Sequence, residues 1–255
     1  MKYLAGSIFL ALTLTTGAVS HAEGGFEPFG ATYANSAEAT LRKLAAEGNA
    51  KAQFDLGLMY ENGRGVRKNS QQAALWYQKA AEQGHAEAQT NLGVMYGRGL
   101  GVPGSDWQAV AWFRQAAEQG FSSAQYNLAY MYAKGRGVPK DDQLAIDWYL
   151  NAAIQGNVKA QYNLGEIYSK GVGVPKSNQQ AYFWWLLASA QGFPQAVEKR
   201  DFLELRIAPE QRAAAQADAR ASLRKTEPIP ASTPALVPVA PPPLTPVPVP
   251  VPQTP

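Results

Sequence analysis

The chain has no cysteine. That excludes disulfide staples, thiolate metal sites and any lipid carried on a cysteine, so stability has to come from packing alone. Histidine is nearly as scarce, with only His21 and His85. Without a thiolate or a cluster of imidazoles, a zinc centre is not expected. Charged residues make up 17% of the chain, and the formal net charge is only +3. So small and scattered an excess argues against nucleic-acid and anionic-lipid partners. Past residue 22 no stretch is apolar enough or long enough to span a bilayer.

The two ends differ from the middle. "MKYLAGSIFLALTLTTGAVSHA" has Lys2 as its one charge, then an apolar run, then Ser20-His21-Ala22 with small residues at the −3 and −1 sites. These parts predict a signal peptide over 1–22 and a periplasmic or secreted product. An uncleaved anchor is the alternative, but Gly6, Ser7, Thr13, Thr15 and Thr16 dilute the run and favour cleavage. At the other end, residues 226–255 hold 12 of the 18 prolines, one acid and no base. Missing N–H donors and a fixed φ exclude helix and sheet, which leaves polyproline II or disorder. Such a tail serves either as a spacer, as a ligand for an aromatic-lined groove, or as a thread through the cell wall.

Between the ends the chain repeats itself every 36 residues. Gly48, Gly84, Gly120, Gly156 and Gly192 keep that spacing, as do Ala-Gln at 52–53, 88–89, 124–125 and 160–161. Leu56, Leu92, Leu128 and Leu164 follow, then Tyr60, Tyr96, Tyr132 and Tyr168. Each row continues with G-x-G-V, beginning at Gly63, Gly99, Gly135 and Gly171, and then Trp76, Trp112, Trp148 or Trp184. Self-similarity of this period predicts a solenoid of stacked units.

Each unit divides into two helices. Ala52, Leu56, Met59 and Tyr60 make one stripe of a first helix. Asn69, Ser105, Asp141 and Ser177 stand where a second helix needs an N-cap, and Gln72, Gln108 and Gln180 complete a capping box in three rows. Ala73, Trp76, Tyr77, Ala80 and Ala81 form its inward face, and Gly84 falls where a left-handed residue ends it. Truncating one of the recurring tryptophans is expected to cost roughly 3–5 kcal/mol. Small residues at Gly57, Gly93, Ala129 and Gly165 let the helices approach closely.

"GLGVPG" at 99–104 matches G-x-G-x-x-G letter for letter. A dinucleotide site needs that motif between a strand and a helix. Here a helix precedes it and three other rows share its G-x-G-V, so it reads as a turn with Val102 tucked inward. Other chemistry is thin. His85 sits where a first helix starts and reads as a cap, and Asp141 of the Asp141-Asp142 pair is itself a cap. No nucleophile elbow or phosphate-binding lysine loop is present. No catalytic residue, metal or cofactor is therefore expected.

The pattern A-x-A-Q-x-x-L-G-x-x-Y-x-x-G-x-G-V, a capping residue, then A-x-x-W-Y-x-x-A-A-x-x-G, resembles the Sel-one-like repeat (SLR) family of tetratricopeptide-like solenoids. Four full repeats and a half unit over about 36–192 carry the resemblance, with Thr90, Ala129 and Ile167 as departures. It implies an all-α, right-handed superhelical solenoid of antiparallel helix pairs. The expected divisions are a signal peptide (1–22), a linker (23–35), a cap helix (36–48), repeats at 49–84, 85–120, 121–156 and 157–192, capping helices (193–225) and the tail (226–255).

The resemblance also puts the first helices on a concave face. One slot there reads Phe54, Thr90, Tyr126 and Tyr162, and the next reads Asp55, Asn91, Asn127 and Asn163. An aromatic row beside an amide row suits an extended peptide, although the asparagines could equally bond between neighbouring repeats. The implied function is a non-catalytic adaptor of the bacterial envelope with a protein or peptide partner, such as a sensor-kinase inhibitor or an accessory of a motor or secretion complex. A cell-wall glycan binder is the alternative. Hydrolysis of β-lactams, linked to cysteine-rich relatives, is disfavoured by the missing cysteines and serine motif.

Overall fold

The structure, a computed structural model, describes residues 29–224, with side chains described from residue 38. The expected signal peptide and the proline-rich tail lie outside the described residues. Within them the chain is all-α: α1 (Phe29–Ala46), α2 (Ala50–Asn62), α3 (Ser70–Glu82), α4 (Ala86–Arg98), α5 (Asp106–Glu118), α6 (Ser122–Lys134), α7 (Asp142–Ile154), α8 (Val158–Lys170), α9 (Asn178–Ala190), α10 (Pro194–Glu204) and α11 (Pro209–Arg224). Consecutive helices pack on one another through α9, and both α10 and α11 pack on α9. The first cap helix begins at Phe29, so residues 29–35, expected as linker, are helical.

The ends of the helices follow from local chemistry. Asn69 accepts hydrogen bonds from the N–H groups of Gln71 and Gln72, and Asp141 accepts one from Leu144. Ser105 and Ser177 cap α5 and α9 in the same way. "GLGVPG" follows α4, with no strand before it. Gly99 and Gly101 have φ of 66° and 71°, and a Cβ on Gly101 would lie 2.2 Å from the Ser70 carbonyl oxygen. The second glycine of the turn therefore lets the loop touch the start of the preceding unit's second helix. Val102 is half-buried against the neighbouring core.

Packing inside a unit sets an aromatic ring against a missing side chain. A Cβ on Gly57 would lie 2.6 Å from the Tyr77 ring; on Gly93, 2.7 Å from Phe113; on Gly165, 2.3 Å from the Trp185 indole nitrogen. These rings, one residue past the recurring tryptophans, are buried in every repeat. The tryptophans themselves divide. Trp148 and Trp184 are buried, whereas Trp76 and Trp112 are only half-buried, and the Lys79 ammonium sits 4.4 Å over the Trp76 ring. The inward face expected of all four tryptophans thus holds only in the last two repeats, because the fully enclosed slot belongs to the next residue along.

Between units runs a ladder of amides. Gln53, Gln89, Gln125 and Gln161 are buried, and each donates to a carbonyl at the end of the preceding unit: Ala45, Ala81, Ala117 and Ala153. Each also accepts from a glutamine at its own unit's end, as Gln119 donates to Gln89 at 2.7 Å. The recurring Ala-Gln is thus the polar joint of the array: buried amides with satisfied hydrogen bonds.

Candidate partner-binding face

The eight residues of the two slots expected on the face of the first helices separate into buried and accessible groups. Phe54 is 8% exposed, its ring stacked on His85 (centroids 4.7 Å apart) and tilted against Tyr77 at 5.8 Å. Thr90 is also buried and donates its hydroxyl to the Ala86 carbonyl. Only Tyr126 and Tyr162 of the aromatic slot keep partial exposure. The continuous aromatic row does not form, and Phe54 offers no ring to a partner. The cause lies in the next unit: the residue that starts its first helix leans on this slot, His85 over Phe54 and Phe193 against Tyr162 at 5.2 Å. His85 caps α4 as well, its Nδ1 accepting from the Ala88 N–H at 3.3 Å.

The amide slot is half-buried throughout. Asn91 faces the Tyr77 hydroxyl, and Asn163 faces those of Tyr126 and Tyr149, each on the preceding repeat. Tyr77 in turn donates to Glu61. Burial, reinforced by Glu61, pushes the Tyr77 phenol well above its ordinary range, and burial does the same to Tyr149. These phenols stay neutral donors at any physiological pH. Asp55 pairs with Lys51 at 2.5 Å.

A hollow of about 490 Å³ opens between α6 and α8, floored by Tyr149 and Ala145 of α7. Tyr130, Lys134, Lys140, Tyr162 and Lys170 line it, with Asn163 at the wall. Tyr130 is 37% exposed, an aromatic handle at the rim, and it lies beside Arg136. Arg136 grips Asp106 of the preceding repeat through two hydrogen bonds, of 3.0 and 2.6 Å. Inside the hollow, burial pushes the Glu166 carboxyl up. Hydrogen bonds and charge from Lys170 (2.5 Å) and Lys199 (3.1 Å) outweigh that and hold it below the usual carboxylate range.

Tyr130 and the lysines were not among the expected face residues. Their slots were readable in register all the same: Leu58, Val94, Tyr130, Glu166 in one, and Asn62, Arg98, Lys134, Lys170 in the other. Variation within a slot that is otherwise structural was the mark. Asp141 and Asp142 do not converge as an acid–base pair: one caps α7, and the other pairs with Lys140 at 2.7 Å.

The family profile described as Sel1 repeat matches residues 50–85, 86–121, 122–157 and 158–193, more than half of the chain. The chain belongs to the Sel1-repeat family. Among solved structures, this Sel1-repeat chain is similar to c5321, a protective antigen present in uropathogenic Escherichia coli strains that displays an SLR fold. Identity is 39%, with a TM-score of 0.70, over 80% of this chain. The match spans 42% of the antigen's own length. A Sel1 repeat protein from Oxalobacter formigenes is 34% identical over 73% of this chain and 76% of that one, with a TM-score of 0.64. No curated protein sequence matches. Sel1-repeat proteins generally mediate protein–protein interactions on a scaffold without catalytic machinery.

Proposed function

We propose that this Sel1-repeat chain is a non-catalytic adaptor of the bacterial envelope, exported to the periplasm, which grips a partner protein or peptide on the face of its first helices. The observation that carries the reading is the hollow between α6 and α8. There, exposed tyrosine and lysine side chains interrupt a surface otherwise committed to holding repeats together. Tyrosine gives contact area at low entropic cost, and its hydroxyl bonds a peptide backbone. Export rests on residues 1–22, and a similar protein being a protective antigen fits a place outside the cytoplasm.

Affinity capture from cells that make the protein tests this directly. Tyr130→Ala combined with Asn127→Ala is expected to reduce the captured partner at least tenfold while the far-UV circular dichroism stays unchanged. Capture at the wild-type level by that double variant refutes the assigned face. The expected mature N-terminus is Glu23; protein retained in the cytoplasm with Met1 in place refutes the envelope assignment.

A further inference from the structure

On that adaptor reading, we infer that the hollow between α6 and α8 receives an extended acidic segment of the partner, its carboxylates meeting Lys134 and the lysines around it. The charges around the hollow decide the sign. Three ammonium groups line it, Lys134, Lys140 and Lys170, against two carboxylates, Asp142 and Glu166; just outside, Lys199 reaches Glu166 while Glu198 acts on Tyr162, so one positive charge is left over. Lys140 pairs with Asp142, while Lys170 and Lys199 share Glu166. Among the described residues no carboxylate lies within ion-pair distance of Lys134. A recess with an excess of one sign concentrates field lines and draws the opposite charge.

The cations also lie in register. Arg98, Lys134 and Lys170 are the last residues of α4, α6 and α8, so a chain crossing the first helices meets one at each of the last three repeats, while α2 ends in Asn62. Cations at helix C-termini favour the macrodipole as well. That role alone would leave ligand binding indifferent to them.

Asn127, on α6 but outside the lining of the hollow, supplies a backbone clamp for the same strand. Asn91 and Asn163 face the hydroxyls of Tyr77 and Tyr149, but α5 carries Phe113 at the matching position. With no hydroxyl there to occupy it, the Asn127 amide is left to bond the N–H and C=O of a passing strand. The chain's own residues 226–255 contain a single acidic side chain, Glu227, and do not match the charge.

Fluorescence anisotropy on the full mature chain tests the assignment, using a labelled nonapeptide of four aspartates separated by serines. Its lysine counterpart and a neutral peptide copying residues 236–251 serve as comparators. Binding of the acidic peptide is expected to exceed both by at least tenfold and to weaken as salt rises. Lys134→Glu should lower its affinity at least tenfold and Lys134→Gln by a smaller factor, while Lys79→Glu, outside the hollow, changes nothing. Equal binding of acidic and basic peptides overturns the assignment, as does indifference to Lys134→Glu in a folded protein. Tighter binding of the 236–251 peptide also overturns it, making the hollow a seat for the tail. If partner capture depends on Tyr130 but not on Lys134, the adaptor stands and the acidic ligand falls. If the acidic peptide binds as described and no partner is captured, the adaptor reading fails instead.

Discussion

At the scale of single residues, the glycine facing an aromatic ring is the most exacting contact in each repeat. Gly93→Ala would place a methyl 2.7 Å from the Phe113 ring, and neither helix can yield without moving its neighbours. A loss of about 1–3 kcal/mol is expected, as for other overpacked cores, measurable as a shift of the urea midpoint with unchanged slope. The third repeat carries Ala129 with Tyr149, so the seam can be built for a methyl, but only as a unit. Gln89→Leu is a separate test. It removes one of the bonds to the Ala81 carbonyl, which keeps the Gly84 N–H, and one from the exposed Gln119 amide, which keeps the Gln115 carbonyl, so a net loss of about 0.5–1.5 kcal/mol per bond is expected.

Glu166 contributes a pH dependence. Its carboxyl titrates lower in the folded chain than in the unfolded one, so its contribution is full above the ordinary carboxylate range, near about pH 4.3. That contribution is lost as pH falls through the depressed value. Melting temperature followed from pH 6 to pH 3 should drop less in Glu166→Gln than in wild type; identical profiles would contradict the clasp by Lys170 and Lys199.

Helices and turns were the part most legible in the sequence. Caps at Asn69, Ser105, Asp141 and Ser177 and the G-x-G turns are local chemistry, decided within three or four residues, and they fall where their side chains require. What could not be read was anything that closes across units. The partners of Gln89 lie eight residues before it and 30 after it, so the Ala-Gln pair looked only like a recurring word. Phe54 looked free because the ring that covers it, His85, belongs to the next repeat. Tryptophans recur more visibly than the residue after them, yet Tyr77, Phe113, Tyr149 and Trp185 occupy the enclosed slot. At the C-terminal end, α10 and α11 both pack on α9, whose Tyr182, Phe183 and Trp184 are buried, with Gln216 of α11 donating to the Tyr182 hydroxyl at 3.3 Å. A chain ending at residue 192 exposes those rings. It is expected to aggregate or to melt without cooperativity; a sharp transition at the wild-type temperature would show that α10 and α11 are dispensable.

The whole molecule is a line of neighbours rather than a single core. Buried side chains form three clusters: a small one around Ala45, Ala52 and Leu56, a second around Tyr77 and Leu92, and a large one from Ala109 to Ala219. Stability in such an array is a sum of units and seams, so it need not be uniform along the chain. Native-state hydrogen exchange should therefore find α1 and α2 opening well before α7, α8 and α9. Equal protection from α2 to α9 would mean the clusters behave as one. The candidate face spans the well-packed second half, where a rigid surface costs a ligand least to bind. The central claim is that this face, and not the opposite one, meets another protein. Site-specific photocrosslinking in living cells tests it most directly, with the reactive side chain placed in turn at Asn127, Tyr130 and Lys134 and, on the second helices, at Lys79 and Gln143. The account predicts one discrete protein adduct from the first three positions and none from the other two; adducts of equal yield from both sets, or from Lys79 and Gln143 alone, would contradict it.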